Sequence, residues 1–184
     1  MATTISSPSA VTPTTGAAGN AFANDGTNTN LFGTLFTDTR WGGFSSLSIP
    51  SGATINGIEV IIDASSTSSA LDTRVGYGRT ISALKATNGL PGKTFATVDP
   101  CWGSSSDLWG LSWTPTQAAA IYVLFDWSTI TGAARISFDH IQIRVTFTAA
   151  ASGYGHTVNG VAPANIGKVK GVATANIGKI IGVD

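Results

Sequence analysis

The chain has 184 residues, zero formal net charge and only 11% charged residues. So neutral a surface argues against general nucleic-acid binding, which needs a basic patch to displace counterions. A single glutamate, Glu59, and 22 glycines argue against a helical fold, whose wet faces draw on Glu, Lys and Arg. Cys101 is the only cysteine, so no intramolecular disulfide and no cysteine-based zinc site is expected. The start, Met1-Ala-Thr-Thr-Ile5, has neither the basic nor the apolar region of a secretory signal. No apolar run reaches the length of a membrane span. The expectation is a protein made in a cytoplasm, without membrane insertion, whose low charge favours association and whose ends are held by partners.

Residues 1–30 are rich in Thr, Ser, Ala, Asn and Gly and read as a polar N-terminal arm without a core of its own. Asn24-Asp25-Gly26 is a turn signal. No series of carboxylates follows it, so a calcium loop is not expected there. From Leu31 the chain becomes more apolar. Ile55–Ala64 reads as the first clear strand, with Ile58, Val60, Ile62 and Ala64 on one face and Glu59, Ile61 and Asp63 on the other. Asn56-Gly57 predicts a bulge or tight bend at its start, and Ser65–Ala70 a polar loop at its end. Asp72–Lys85 is a second extended stretch, broken by Gly76 and Gly78. Thr94–Val98 reads as a short strand.

The stretch Ser106–Pro115 organises the rest. Trp102, Trp109 and Trp113 fall within a dozen residues, beside Leu108 and Leu111, and are flanked by Gly103, Gly110 and Pro115. Glycine and proline exclude a long helix here. Rings on irregular backbone have two uses: to plug one end of a β-sandwich core, which is the expectation here because buried aromatics usually close a sandwich, or to present flat faces to a ligand such as a sugar. Thr114-Pro-Thr-Gln-Ala-Ala-Ala120 is the one plausible helical turn, with Thr114 as cap and Pro115 at the first helical position. Ile121–Trp127 reads as a buried strand and Ile130–Gly132 as a turn. Ala134–Thr148 is the longest strand. Ile136 and Phe138 share one parity, and Ile141, Ile143, Val145 and Phe147 the other, which predicts a β-bulge near Asp139-His140. His140 beside Asp139 suggests acid–base chemistry, but no nucleophile motif accompanies the pair, and the other histidine, His156, lies in the tail linker. The bland reading is a bulge with an edge histidine. Asp99, Asp107, Asp126 and Asp139 are the carboxylates a hydrolase would draw on, with no spacing that places a pair across a sugar. No catalytic, cofactor or metal residues are expected.

The C-terminal end repeats. Val158-Asn-Gly-Val-Ala-Pro-Ala-Asn-Ile-Gly-Lys168 is followed by Val169-Lys-Gly-Val-Ala-Thr-Ala-Asn-Ile-Gly-Lys179 and then Ile180-Ile-Gly-Val-Asp184, a period of eleven. Its apolar positions are Val158, Val161, Ile166, Val169, Val172, Ile177, Ile180 and Val183. Two glycines per unit would cost a helical coil about 2 kcal/mol per repeat, so short extended segments with turns at Asn-Ile-Gly are expected instead. Fewer than three full units cannot bury their own apolar face. The tail is therefore expected to pack with sister chains, most simply as an intertwined trimer, or in a groove on a different subunit. The reading is an all-β chain: an N-terminal arm (1–30), an antiparallel, jelly-roll-like β-sandwich (31–150), a linker (151–157) and an extended repeat tail (158–184) for oligomerisation or attachment.

Three stretches carry a family resemblance: Ile49-Pro-Ser-Gly-Ala-Thr-Ile-Asn-Gly-Ile-Glu-Val60, Ser105-Ser-Asp-Leu-Trp-Gly-Leu-Ser-Trp-Thr-Pro115, and Phe138-Asp-His-Ile-Gln-Ile-Arg-Val-Thr-Phe147. Together they resemble a β-sandwich domain of tailed-bacteriophage structural proteins. Asn20-Ala-Phe-Ala-Asn-Asp-Gly26 is similar to the opening of that family, and the Asn-Gly-Val-Ala-x-Ala-Asn-Ile-Gly-Lys repeat to tails of phage virion proteins. The resemblance implies a non-enzymatic virion subunit of tail fibre, baseplate or capsid-decoration type, in contact with copies of itself and with other virion proteins. It transfers no binding residues. The alternative is a host-adhesion module that holds a host-surface glycan on the tryptophan loop.

Overall fold

Apolar alternation along Ile55–Ala64 and along the run ending at Phe147 is what a strand with a buried face requires. Both runs become the longest strands of the computed structural model. The structure describes residues 1–12, 18–32, 39–66, 72–85, 102–126, 135–150, 168–169 and 172–173. The expected strand Thr94–Val98 and turn Ile130–Gly132 lie outside them. In chain order the strands are β1 (Ala2–Ser6), β2 (Ala10–Thr12), β3 (Thr29–Phe32), β4 (Arg40–Gly42) and β5 (Thr54–Ser66). There follow β6 (Asp72–Tyr77), β7 (Thr80–Ile81), β8 (Trp102–Gly103), helix α1 (Pro115–Ala119), β9 (Tyr122–Asp126) and β10 (Arg135–Thr148). Two short strands, β11 (Lys168–Val169) and β12 (Val172–Ala173), lie in the repeat.

The chain is all-β. Up to Ala149 its described strands form two antiparallel sheets. The first runs β1-β10-β5-β8, and β3 also pairs with β10. β3 lies against the start of β10 (Arg135↔Phe32 to Phe138↔Thr29) and β1 against its end (Ser6↔Ile143 to Ala2↔Phe147), both on the edge opposite β5. The second sheet runs β2-β4-β9-β6-β7. Successive strands alternate between the sheets, except for the β6–β7 hairpin, which turns at Gly78 with φ +54°.

The parity read from the sequence marks the residues of the shared core, although Glu59, Ile61 and Asp63 on the other face of β5 are buried as well. Ile58, Val60, Ile62 and Ala64 of β5 and Phe138, Ile141, Ile143, Val145 and Phe147 of β10 join Trp41, Val75, Val123 and Phe125 of the second sheet in one hydrophobic cluster. Phe125 is its hub, with ring centroids 4.9 Å from Phe138, 5.4 Å from Trp41 and 5.7 Å from Trp102. Aromatic pairs at this spacing add to area burial. The phase change in β10 is a bulge: the register with β5 skips between Phe138 and His140. A second irregularity falls where Thr146 pairs with Gly57 and Phe147 with Ile55, which leaves Asn56 over. α1 has the predicted start. The Thr114 hydroxyl accepts from the Gln117 backbone, the Gln117 side chain accepts from Thr114 N at 2.8 Å, and Pro115 opens the helix.

One expectation is corrected. Residues 1–30 are not an arm apart from the core, because Met1–Ala149 form a single unit. β1, β2 and β3 are sheet strands, Val11 and Ala21 are buried in the core, and Phe22 packs against it. The N-terminal segment is thus held by its own sheets and needs no partner for that. Strand pairing uses backbone groups, which Thr and Ser supply as well as Val, and single buried residues among polar ones leave no periodic signal. Ala150–Asp184 form the second unit.

Candidate functional site

The tryptophan loop is a core plug. Trp102, Trp109 and Trp113 are 4%, 2% and 9% exposed, so their faces are covered by protein and offer no open platform to a sugar. Trp109 adopts φ +60°, between Gly103 at +79° and Gly110 at +69°. Its indole N–H donates to the Ile58 carbonyl at 2.8 Å, and that of Trp113 to the Leu108 carbonyl at 2.9 Å. Gly103 is required for this approach, since a Cβ there would stand 2.1 Å from the Ile58 oxygen. Asp107 fastens the loop. Its carboxylate accepts from Trp109 N at 2.8 Å and pairs with Lys85 Nζ at 2.7 Å, and Lys85 also lies over the Trp109 ring. Of the hydrolase carboxylates, Asp107 is thus held in structural contacts and Asp99 lies outside the described residues.

At the bulge of β10 the sequence reading found His140 and Asp139 but missed their partners. Ser7 Oγ lies 2.7 Å from His140 Nε2, across 133 residues of sequence. Asp63 of β5 stands opposite His140 in the register. Serine, histidine and carboxylate are the groups of a nucleophile–base set, but here the carboxylates have other hydrogen bonds. Asp139 Oδ1 accepts from Gly26 N at 3.0 Å, and Asp63 Oδ2 from Asn24 Nδ2 at 3.2 Å. Gly26 has φ +78°, and Asp25 Oδ1 accepts from Thr27 N, so Asn24–Gly26 is the predicted turn. The cluster therefore clasps the N-terminal segment to the sheet. Burial lowers the His140 pKa below its ordinary value of 6.5, opposed by the charges of Asp139 and Asp63. Among the described residues no set of three His, Cys, Asp or Glu side chains converges as a metal site would.

A cleft on the second sheet carried no motif in the sequence. Val11, Trp41, Val75 and Val123 are buried in the core, so the alternate residues Ala10, Thr12, Arg40, Gly42, Gly76 and Tyr122 lie on the outer face. Ala10 pairs with Gly42, and Tyr122 with Gly76. The Tyr122 ring lies across Gly76, where a Cβ would stand 2.6 Å from its hydroxyl, and that hydroxyl donates to the Thr80 carbonyl. The Arg40 guanidinium sits 4.8 Å from the ring centroid. Beside this wall the missing side chain of Gly42 and the short one of Ala10 leave a cleft of about 350 Å³, lined also by Gly43, Ala119, Ala120 and Ile121. Its signal in the sequence was the small residues at outward positions of apolar strands.

Of the expected attachment residues, Val169 and Val172 fall in described backbone. They pair with each other, as do Lys168 and Ala173, in an antiparallel strand pair within the repeat. Extended segments were expected, as these are, with turns at Asn-Ile-Gly, which lie outside the described residues. Val158, Val161, Ile166, Ile177, Ile180 and Val183 lie outside the described residues. No protein-family model matches the chain, and neither a curated protein nor a solved structure is significantly similar to it.

Proposed function

We propose that this chain is a non-enzymatic structural subunit of a tailed-bacteriophage particle, in which a jelly-roll-like β-sandwich is displayed and the repeat tail attaches or oligomerises it. The observation that carries the reading is the division at Ala149/Ala150 into a two-sheet unit and a repeat unit that holds its own strand pair. A repeat this short needs partners to cover its apolar positions, and three sister tails wound together in closed cyclic symmetry would cover them. Other virion proteins are the alternative partners. The strand order supports the sandwich part. With β3 and β1 taken as one edge, the orders β3/β1-β10-β5-β8 and β4-β9-β6-β7 are those of a double Greek key, with β2 added outside β4. Such folds serve capsid and lectin domains alike, so fold alone does not choose between them. The resemblance in three separate stretches favours the virion.

The test is the absolute mass in solution of the full chain beside a chain ending at Ala150. The expected result is a trimer that becomes a monomer on truncation. A truncated chain that keeps the oligomeric state overturns the tail's role. Monomers in both cases would replace the self-associating tail with one that docks on another virion protein. The adhesion reading does not draw support from the tryptophan loop, whose rings are covered.

A further inference from the structure

We propose that the cleft beside Arg40 and Tyr122 binds a carboxylate-bearing sugar, such as a uronic acid residue of a polysaccharide. The inference goes beyond the virion reading and does not depend on it.

The charge comes first. Arg40 is exposed, stacked on Tyr122, and has no carboxylate partner among the described residues. Among the described residues no acidic side chain lines the cleft. A guanidinium fixed against an aromatic face keeps its outward N–H donors in a planar fork, the geometry that receives a carboxylate in two parallel hydrogen bonds. The neutral chain offers little long-range attraction for anions, so binding would rest on this local contact.

The shape comes second. The floor is Ala10, Gly42 and Gly43, small residues that project little into the cleft. At about 350 Å³ the cleft is at the lower end of ligand sites, suited to a single ring. Thr12 adds a hydroxyl at the rim. A six-membered sugar acid has an apolar face for the floor, hydroxyls for the rim and a carboxylate for Arg40.

The backbone argues against a peptide. β4 lies between β2 and β9, so its amides and carbonyls already serve two neighbours. The carbonyl of Gly42 accepts from Ser9 N at 3.0 Å and that of Gly43 from Ser9 Oγ at 2.6 Å. The β4 part of the floor therefore offers no ladder for an extended chain to join, which is the main source of affinity in strand addition, and only the outer edge of β2 is left for one. Recognition is left to side chains and apolar contact.

The experiment is calorimetric titration of the full-length protein with D-galacturonate, D-glucuronate and N-acetylneuraminate, beside D-galactose, acetate and an acidic peptide. Two variants are carried through the same series, with circular dichroism to check the fold. Arg40→Gln removes the charge from an exposed side chain. Gly42→Val fills the floor, where a Cβ meets only ordinary contacts at 3.6 Å and beyond. The expected result is binding of at least one sugar acid, none of galactose or acetate, and a loss of roughly tenfold to a hundredfold in Arg40→Gln, as for a charge-assisted hydrogen bond. Gly42→Val should bind no sugar acid although it keeps Arg40. Silence across all three acids overturns the proposal. So does acetate binding as tightly as the sugars, which would make the cleft a plain anion site. Preference for the acidic peptide, or sugar binding unchanged in both variants, overturns it as well.

Discussion

Two indole nitrogens in one loop have opposite fates. Trp109 donates its N–H to the Ile58 carbonyl, whereas the Trp102 N–H is buried without a hydrogen-bond partner among the described residues. Replacing Trp109 with Phe removes ring area and leaves the Ile58 carbonyl without that donor. Replacing Trp102 with Phe removes similar area but also removes an unsatisfied donor. A buried polar group without a partner costs about 1–3 kcal/mol. Trp102→Phe is therefore expected to destabilise less than Trp109→Phe by about 1 kcal/mol or more. Urea unfolding with an unchanged slope measures the difference directly, and equal midpoints would contradict the assignment. In the sequence the tryptophans are legible as a cluster, and a core plug is the favoured reading of it, but the cover over each ring is not legible. Whether a ring is covered depends on Ile58, fifty-one residues away, and local pattern carries no such distance.

Among the elements, β10 shows how far pattern reaches. Its bulge was legible because an extra residue switches which parity is apolar, and Asn56 on β5 announced its own irregularity through Asn-Gly. What the bulge does was not legible. It turns Asp139 and His140 toward Gly26 and Ser7, and so binds the N-terminal segment that polar composition had marked as an arm. A pH dependence follows. Burial lowers the His140 pKa in the folded chain, so the unfolded chain takes up the proton first. The stability tied to neutral His140 is complete above the unfolded value, near 6.5, and is lost as pH falls through the lower folded value. Unfolding free energy should therefore drop between pH 7 and pH 5, and less steeply in His140→Gln. Parallel pH profiles for the two proteins would place the titrating group elsewhere. The cleft was illegible for a different reason: side chains that are absent make it, and apolar periodicity registers only those that are present.

For the molecule as a whole, the cluster that joins both sheets lies within Met1–Ala149. A chain ending at Ala150 is therefore expected to unfold in one cooperative transition, with its Trp fluorescence and near-ultraviolet dichroism unchanged from the full chain. A broad or absent transition would show that the repeat completes the core. The all-β class was readable from composition. The alternation of successive strands between sheets was not, because β1, β2 and β3 lack apolar periodicity. That topology has a mechanical side. The repeat is joined to the two-sheet unit at the end of β10, a strand paired with β5 along most of its length and with β1 and β3 on its other edge. Hydrogen bonds between antiparallel strands lie across the strand axis. A pull on the tail directed along β10 would load these bonds together, in shear, instead of peeling them one by one. A subunit tethered through its C-terminal side would then transmit tension into its most heavily bonded strand.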